Sequence, residues 1–227
     1  MAQHSKRYRE VAKKIDSTKT YPLAEAVALA QETATTKFTG SVELHIRLGI
    51  DPKKADQLVR GSVVLPHGTG KSKRVAVFAT GPAAEAAKKA GAAVVGGEEL
   101  IAQVKQKNGI DADVVVATPD MMKLLSGVAK ILGPRGLMPN PKNETVTPDV
   151  AKAVKELAGG KATFRNDESG NLHQAVGKTN FTAEQIAANA QAFLDAVRRV
   201  KPAAVKGTYL RTVTLTTSMG PGVRVQV

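Results

Sequence analysis

Two hydrophobic patterns divide this 227-residue chain and restrict what it can fold into. Residues 41–50 alternate between apolar side chains, such as Val42, Leu44 and Ile46, and polar ones, which predicts a strand with one buried face. Residues 210–218 alternate in the same way near the other end of the chain. Between them, short continuous apolar runs alternate with helical segments, which is typical of a parallel sheet covered on both faces.

The pattern predicts the following elements. Near the two ends we expect helices over 5–16 and from Pro22 onward, strands over 41–50 and 61–65, a hairpin of strands 162–165 and 172–176 around the turn 166–170, a helix over 182–200 with Thr182 as its N-cap, and strands over 210–218 and 223–225. In the middle we expect strands over 75–79, 93–95 and 114–117 and helices over 82–90, 98–107, 120–130 and 149–158.

These patterns favour one architecture. Residues 1–67 and 160–227 are expected to form one α+β domain from both chain ends. Residues 68–159 are expected to form an inserted α/β domain, Rossmann-like, with a parallel sheet. Glycines near both junctions are compatible with insertion at an exposed loop.

The charge of the chain points to a polyanionic partner. It has 33 Lys and Arg against 20 Asp and Glu, a net charge of +13. Residues 1–67 carry 11 basic and 7 acidic side chains and residues 160–227 carry 9 and 4, a net +9, whereas the middle carries 13 and 9, a net +4. Nucleic acid is the commonest polyanion, so we expect the terminal domain to dominate its binding.

Several classes of protein are disfavoured. The chain has no cysteine, so disulfides, thiolate metal sites and cysteine nucleophiles are excluded. Its apolar runs are far shorter than a membrane span, and the basic amino end is not followed by a run of signal-peptide length. We therefore expect a cytoplasmic protein without a membrane partner.

A nucleotide-using α/β enzyme is the main alternative. Gly68-Thr69-Gly70-Lys71-Ser72 resembles the end of a phosphate-binding loop, but Leu65 stands where the first glycine should be, and Lys71 leads into a strand rather than a helix. The four histidines have no metal or catalytic spacing, and His45 is expected to be a solvated surface side chain. We therefore expect no enzymatic activity, no cofactor and no metal.

The most informative residues are two polar strand faces. Glu43, His45 and Arg47 share one, and the other carries Thr212, Thr214, Thr216 and Ser218. Hydroxyls and a carboxylate on a sheet can contact RNA 2′-hydroxyls and base edges, and the absence of Trp disfavours a base-stacking surface. An ordinary solvent-facing sheet rich in Thr explains the same pattern equally well. The loop 132–141 likewise is either a stiff connection or a site where Arg135 meets phosphate.

Five strings of residues, in order along the chain, resemble the ribosomal protein L-one family of the large-subunit stalk: Ser41–Asp51, Leu65–Lys71, Ile131–Pro141, Phe164–Asp167 and Ser218–Gly222. Together they extend over nearly the whole chain. The resemblance implies the two-domain architecture drawn above and a protein that binds a folded segment of large-subunit rRNA. It further implies contact with deacylated exit-site tRNA, whose release the protein assists, repression of translation of its own operon mRNA, and a monomer when free.

The resemblance also implies which residues bind RNA. Carried over to this sequence, they are Lys37, Phe38, Ser41, Glu43, Arg47, Arg165, Asp167, Thr216, Thr217, Ser218, Met219 and Gly220. Lys37 and Arg47 are expected to contact phosphates. Family members usually have Thr where this chain has Ser218, and commonly Thr in place of Ser41, so the methyl group is missing at both positions.

Overall fold

The computed structural model describes residues 5–71, 73–141 and 144–226. The chain separates into two compact units, the first made of Met1–Gly70 and Ala162–Val227 and the second of Lys71–Lys161. The first unit has antiparallel sheet with helices, and the second has a parallel sheet. The predicted fold class is therefore confirmed.

Within its described residues, the first unit contains two sheets, three α-helices and a 3-10 turn, Ala55–Gln57. Its elements are α1 (Lys6–Ala12), α2 (Leu23–Glu32), β1 (Ser41–Leu48), β2 (Arg60–Val64), β6 (Lys161–Arg165), β7 (Asn171–Lys178), α8 (Ala183–Arg199), β8 (Leu210–Thr217) and β9 (Val223–Val225). Four strands form a sheet in the order β7-β1-β8-β9, with antiparallel pairs, and β2 pairs with β6 in a second sheet.

The alternation in β1 sets the two faces of the four-stranded sheet. Val42, Leu44, Ile46 and Leu48 are buried, whereas the residues between them are half-buried or exposed. The apolar side chains join those of α2 and α8 in one core. Helix α8 begins with a capping box, in which Thr182 and Gln185 satisfy each other's backbone N–H groups. The other face of the sheet is left for polar side chains.

The predicted hairpin of residues 162–165 and 172–176 is wrong. The turn itself forms, since the Asp167 backbone N–H donates to the Asn171 carbonyl at 2.9 Å, but β6 pairs with β2 and β7 pairs with β1. Side chains explain the divergence of the two strands. Phe164 packs edge to face against Phe193 of α8, and the Asn166 side chain accepts a hydrogen bond from the Val59 backbone N–H at 2.8 Å.

The second unit alternates strands and helices. Its elements are β3 (Val75–Phe78), α3 (Pro82–Lys89), β4 (Val94–Gly96), α4 (Glu98–Lys107), β5 (Val114–Ala117), α5 (Met121–Leu125), α6 (Ala129–Leu132) and α7 (Val150–Ala158). The strands are parallel, in the order β4-β3-β5. Ala76 and Phe78 pack with α4 and α5, while Val75 and Val77 pack with α3 and α7, so both faces of the sheet are covered as predicted.

The predicted helix over 120–130 is interrupted. A 3-10 turn, Ser126–Val128, separates α5 from α6. The Ser126 hydroxyl donates to the Lys123 carbonyl at 2.6 Å, and Gly127 follows directly. A side chain that competes for helical carbonyls and a residue of low helix propensity together account for the break.

Within the described parts of the chain, none of the helices combines the length and the apolar composition that crossing a bilayer requires.

Candidate nucleic-acid interface

The outward face of the four-stranded sheet carries a continuous band of polar side chains. On β1 it presents Ser41, Glu43, His45 and Arg47, none of which is buried. Directly across on β8, Thr216 pairs with Glu43, Thr214 with His45 and Thr212 with Arg47. Paired residues in an antiparallel sheet point to the same side, so the two predicted polar strand faces form one surface. We call this surface the outer face.

Hydrogen bonds between Ser41 and Ser218 hold β1 and the end of β8 together at one end of the outer face. The Ser218 hydroxyl accepts a hydrogen bond from the Ser41 backbone N–H at 3.0 Å, and the Ser218 backbone N–H donates to the Ser41 carbonyl at the same distance. Lys178 on β7 donates to the Ser41 hydroxyl at 2.9 Å. The hydroxyl of Ser218 thus positions the backbone at the start of β1, a role that does not need the methyl group of the Thr usual in the family.

The turn after β8 presents a large apolar side chain to solvent. Met219 has a positive φ of 63° and its side chain is 69% exposed, an uncommon combination for a residue that is not glycine. Arg7 of α1 donates to the Met219 carbonyl at 3.2 Å, and the Gly220 backbone N–H donates to the Thr217 carbonyl at 2.8 Å. These two hydrogen bonds therefore hold the backbone of the turn in place, while the Met219 side chain stays exposed to solvent.

Lys37 and Phe38 lie in the exposed segment that leads into β1. Gly40, at the end of this segment, runs so close to the turn that a Cβ atom there would lie 3.1 Å from the Ser218 Cβ. Phe38 is 57% exposed. Two unburied apolar side chains, Phe38 and Met219, thus flank the Gly40–Ser218 contact, and Lys37 adds a cation beside them.

Arg165 and Asp167 occupy different positions from the other predicted site residues. Arg165 is exposed on β6, in the two-stranded sheet. Asp167 accepts hydrogen bonds from the backbone N–H groups of Ser169 at 2.9 Å and Asn171 at 2.6 Å, and its pKa is held below the usual range although desolvation opposes this. Its carboxylate also lies 3.5 Å from His173 Nε2, which joins it to the outer face.

Thr217 does not share the position predicted for it. It lies on the buried side of β8, 4% exposed, next to Val213 and Leu215 in the alternation. A Cβ atom on Gly220 would approach its hydroxyl to 2.3 Å. The side chain of Thr217 therefore packs inside the turn, next to Gly220, and does not point to solvent where a ligand could bind.

His45 lies on the polar face of β1 as predicted, but its ring is half-buried and hydrogen-bonded rather than freely solvated. His45 pairs with His173 across β1 and β7, and their Nδ1 atoms lie 2.7 Å apart. His45 Nε2 also forms a hydrogen bond of 3.0 Å with the Thr216 hydroxyl. The sequence did not show this pair because the two histidines are 128 residues apart, and only the strand register brings them together. Lys178, Arg7 and His173 are neighbours of the site that sequence reasoning missed for the same reason.

The hydrogen bond between His45 and His173 depends on how many protons the two rings carry. A hydrogen bond between two Nδ1 atoms needs one of them to donate and the other to accept, so two protonated rings cannot keep it. Burial, and then the charge of His173, lower the pKa of His45, while Glu43 at 3.8 Å raises it. The outer face is therefore arranged around a neutral His45, with Glu43 and Asp167 as the acidic groups nearest the pair.

The lowered pKa of His45 predicts a loss of stability in mild acid. Between the unperturbed histidine value of about 6.5 and its lower value in the fold, the unfolded chain binds a proton that the folded chain does not, so stability falls as pH falls. We expect the urea midpoint of the wild type to drop more between about pH 7 and pH 5 than that of His45→Gln.

The control for this measurement is His67→Gln, since the His67 side chain is exposed. It should follow the wild type. Equal pH dependence of the wild type and His45→Gln would show that the pair does not titrate with folding.

The residues of the alternative enzyme site are not assembled. Lys71 is exposed, and the next regular element along the chain is a strand, β3, so Lys71 does not open a helix as a phosphate-loop lysine does. Across the described residues, His, Asp and Glu side chains form no group of three or more that could hold a metal ion.

Comparison with known proteins gives the family. The sequence model of the "Ribosomal protein L1p/L10e family" matches residues 30–221, which include both strands of the outer face and the Met219 turn. This chain belongs to that family. The family is one of ribosomal proteins, in agreement with the resemblance drawn from the five strings.

Curated relatives match over almost their full length. A large ribosomal subunit protein uL1 of Frankia alni is 56% identical over 223 residues, covering 98% of this chain and 93% of the relative. The uL1 protein of Mycoplasma capricolum is 52% identical over 226 residues, covering 100% of both. That of Thermobifida fusca is 55% identical over 223 residues, covering 98% of this chain and 94% of the relative.

Proposed function

We propose that this ribosomal protein is a structural constituent of the large ribosomal subunit that binds a folded segment of large-subunit rRNA through the outer face. The observation that carries the proposal is the unbroken band of polar groups that ends at the exposed Met219 turn. Family membership and relatives named as large-subunit proteins support it.

The outer face suits the minor groove of an RNA helix. That groove is wide and shallow and displays 2′-hydroxyls and base edges, which can pair with the threonine hydroxyls and with the Glu43 carboxylate. Gly220 lets the turn close over Thr217, and Phe38 and Met219 can pack on sugar or base surfaces. Lys37 and Arg47 supply cations for phosphates at the two ends of β1.

Further roles follow from the family resemblance and are part of this proposal. The protein would contribute to the mobile stalk, contact deacylated tRNA at the exit site and assist its release, and repress translation of its own mRNA by binding a similar RNA structure. It would act in the cytoplasm on the ribosome, be a monomer when free and have no enzymatic activity. A nucleotide-binding enzyme using Lys71 is the less supported alternative, because Lys71 precedes a strand.

The proposal is tested by binding. Purified protein is titrated with a folded rRNA fragment from the stalk region and with a scrambled duplex of equal length, across a salt series, and ATP binding is measured alongside. We expect a preference for the folded fragment that persists as salt rises, because contacts to RNA shape are less sensitive to salt than phosphate contacts. Equal, salt-sensitive binding to both RNAs would reject recognition of a folded RNA, and ATP binding without RNA preference would favour the enzyme.

Replacing Glu43 with Ala should weaken binding of the folded fragment about tenfold and leave the scrambled duplex unchanged or slightly tighter. A hydrogen bond to a charged group contributes about 1.5–3 kcal/mol, and a carboxylate repels phosphates in nonspecific binding. Glu184→Ala, an exposed carboxylate in the first turn of α8, is the matched control and should leave the preference intact. An equal loss for both RNAs would show that Glu43 does not read the folded structure.

A further inference from the structure

We propose that a second phosphate-binding site lies at the β8–β9 edge of the outer face, in a cleft of about 300 Å³ between Arg211 and Arg224. Its polar lining is completed by Thr20, Thr212 and Gln226. The site would take a backbone phosphate of the same bound RNA, so this inference rests on the proposed function. None of the twelve residues predicted from the sequence belongs to it.

A β-bulge places Arg211 in the cleft. Along the β1–β8 pair, Arg47 faces Thr212 but Leu48 faces Leu210, which leaves Arg211 as an extra residue without a partner on β1. A bulge redirects the side chain of the extra residue. Arg211 is exposed, and its Nε would lie 3.3 Å from a Cβ atom at Gly49, so the side chain lies against the end of β1, where the Thr208 carbonyl, 2.2 Å from the same Cβ position, leaves no room for one.

Strand pairing places Arg224 on the same face. Arg224 of β9 pairs with Thr214, which in turn pairs with His45 of β1. The side chain of Arg224 therefore points to the outer face, and it is exposed. The segment before α2 closes the other side of β9, because the Tyr21 backbone N–H donates to the Arg224 carbonyl at 2.9 Å. The position of Arg224 is thus fixed by backbone hydrogen bonds on both sides.

The charges of the cleft favour an anion. Among the described residues, its lining contains two guanidinium groups, two hydroxyls and an amide, and no carboxylate. Within the described residues neither guanidinium takes part in an ion pair or side-chain hydrogen bond, whereas Arg74 and Arg198 are both paired with carboxylates. Arginine presents several N–H donors in a plane that matches the oxygens of a phosphate.

The location of the cleft favours a phosphate of the bound RNA over a free anion. Ser41, beside the Met219 turn, and Arg47, beside Thr212, are six positions apart on β1, which at about 3.3 Å per position is about 20 Å. An RNA helix that contacts the Met219 turn and follows the outer face therefore reaches the cleft. The cleft would fix the far end of that helix and so set its direction along the sheet.

The test removes both cations and measures the salt dependence of RNA binding. Two double variants are compared. The first combines Arg211→Gln with Arg224→Gln. The second combines Arg198→Gln with Arg199→Gln and removes the same charge from α8, the helix that packs against the buried side of the sheet. Each lost phosphate contact lowers the slope of log affinity against log salt by about 1. Because both arginines contact the same phosphate in this proposal, we expect the first variant to lower the slope by about 1 and the α8 variant to leave it unchanged. The single variant Arg224→Lys keeps Arg211 and keeps a positive charge at position 224. It should therefore retain most of the wild-type slope.

The outcomes separate this inference from the proposed function. Preference of the wild type for the folded fragment tests the function, and the difference in slope between the two double variants tests the cleft. An unchanged slope in the Arg211 and Arg224 variant, or an equal decrease in both, would overturn the phosphate site even if the wild type recognises the folded RNA. A lost preference with different slopes would reject the proposed function and retain the cleft as a site for RNA phosphates.

Discussion

Gly220→Ala is expected to lower the affinity for the folded rRNA fragment by tenfold to a hundredfold while the protein remains folded. The added Cβ would lie 2.3 Å from the buried Thr217 hydroxyl and 3.3 Å from the Thr217 carbonyl, so the turn has to move. Overpacking of this kind costs about 1–3 kcal/mol, and here the displaced atoms are those that present Met219. Affinity is measured by titration with the folded fragment, and folding by circular dichroism.

A second substitution makes this prediction sharper. The Thr217 hydroxyl is buried with no hydrogen-bond partner in the described structure, so Thr217→Ala alone should change affinity little. Combined with Gly220→Ala it removes the clash, because the Thr217 Cβ lies at an ordinary contact distance of 3.5 Å. We therefore expect the double variant to recover most of the lost affinity. Gly127→Ala, which has room in the second unit, is the control for a glycine substitution.

The largest effect on stability is expected for Asn189→Ala, which should lower the free energy of unfolding by about 3 kcal/mol or more. Asn189 is fully buried on α8. Its side chain accepts from the His67 backbone N–H at 3.0 Å and donates to the carbonyls of Gly68 at 2.9 Å and Val176 at 2.8 Å. Truncation would leave the buried Val176 carbonyl and the partly buried His67 and Gly68 groups without this partner, and a buried unsatisfied group costs about 1–3 kcal/mol.

Urea denaturation of the first unit, followed by a probe placed on it, measures this loss. Gln191→Ala is the control, because Gln191 lies two residues after Asn189 on the exposed side of α8 and its side chain makes an exposed hydrogen bond to Asp195, four residues further along the helix. It should change stability by a few tenths of a kcal/mol. Equal effects of the two substitutions would show that the Asn189 network does not stabilise the fold.

The sequence predicted what depends on local period and composition. The alternating residues 41–48 form strand β1, and the apolar runs of the middle form the parallel strands, both as expected. Thr182 caps α8 as expected. The outer face followed from the same alternation, since the polar residues of β1 and β8 had to lie on one side of each strand.

What the sequence could not predict depends on which strand lies next to which. The hairpin of β6 and β7 was the simplest local interpretation, but packing of Phe164 on Phe193 and the bond of Asn166 to Val59 join β6 to β2 instead. Pairing of His45 with His173, and the bulge at Arg211, likewise follow from register rather than from spacing. Thr217 was assigned to the site by the family resemblance alone, whereas the alternation of β8 places its side chain on the buried side with Val213 and Leu215.

The connectivity of the outer face also determines when it can exist during synthesis. Both strands that flank β1 in the sheet, β7 and β8, come more than a hundred residues later in the chain, whereas the second unit is one continuous stretch from Lys71 to Lys161. A growing polypeptide can therefore fold its second unit early, while β1 waits, unpaired, for the last strands to emerge. If RNA binds the outer face as proposed, this surface becomes complete only after β7 and β8 have been synthesised.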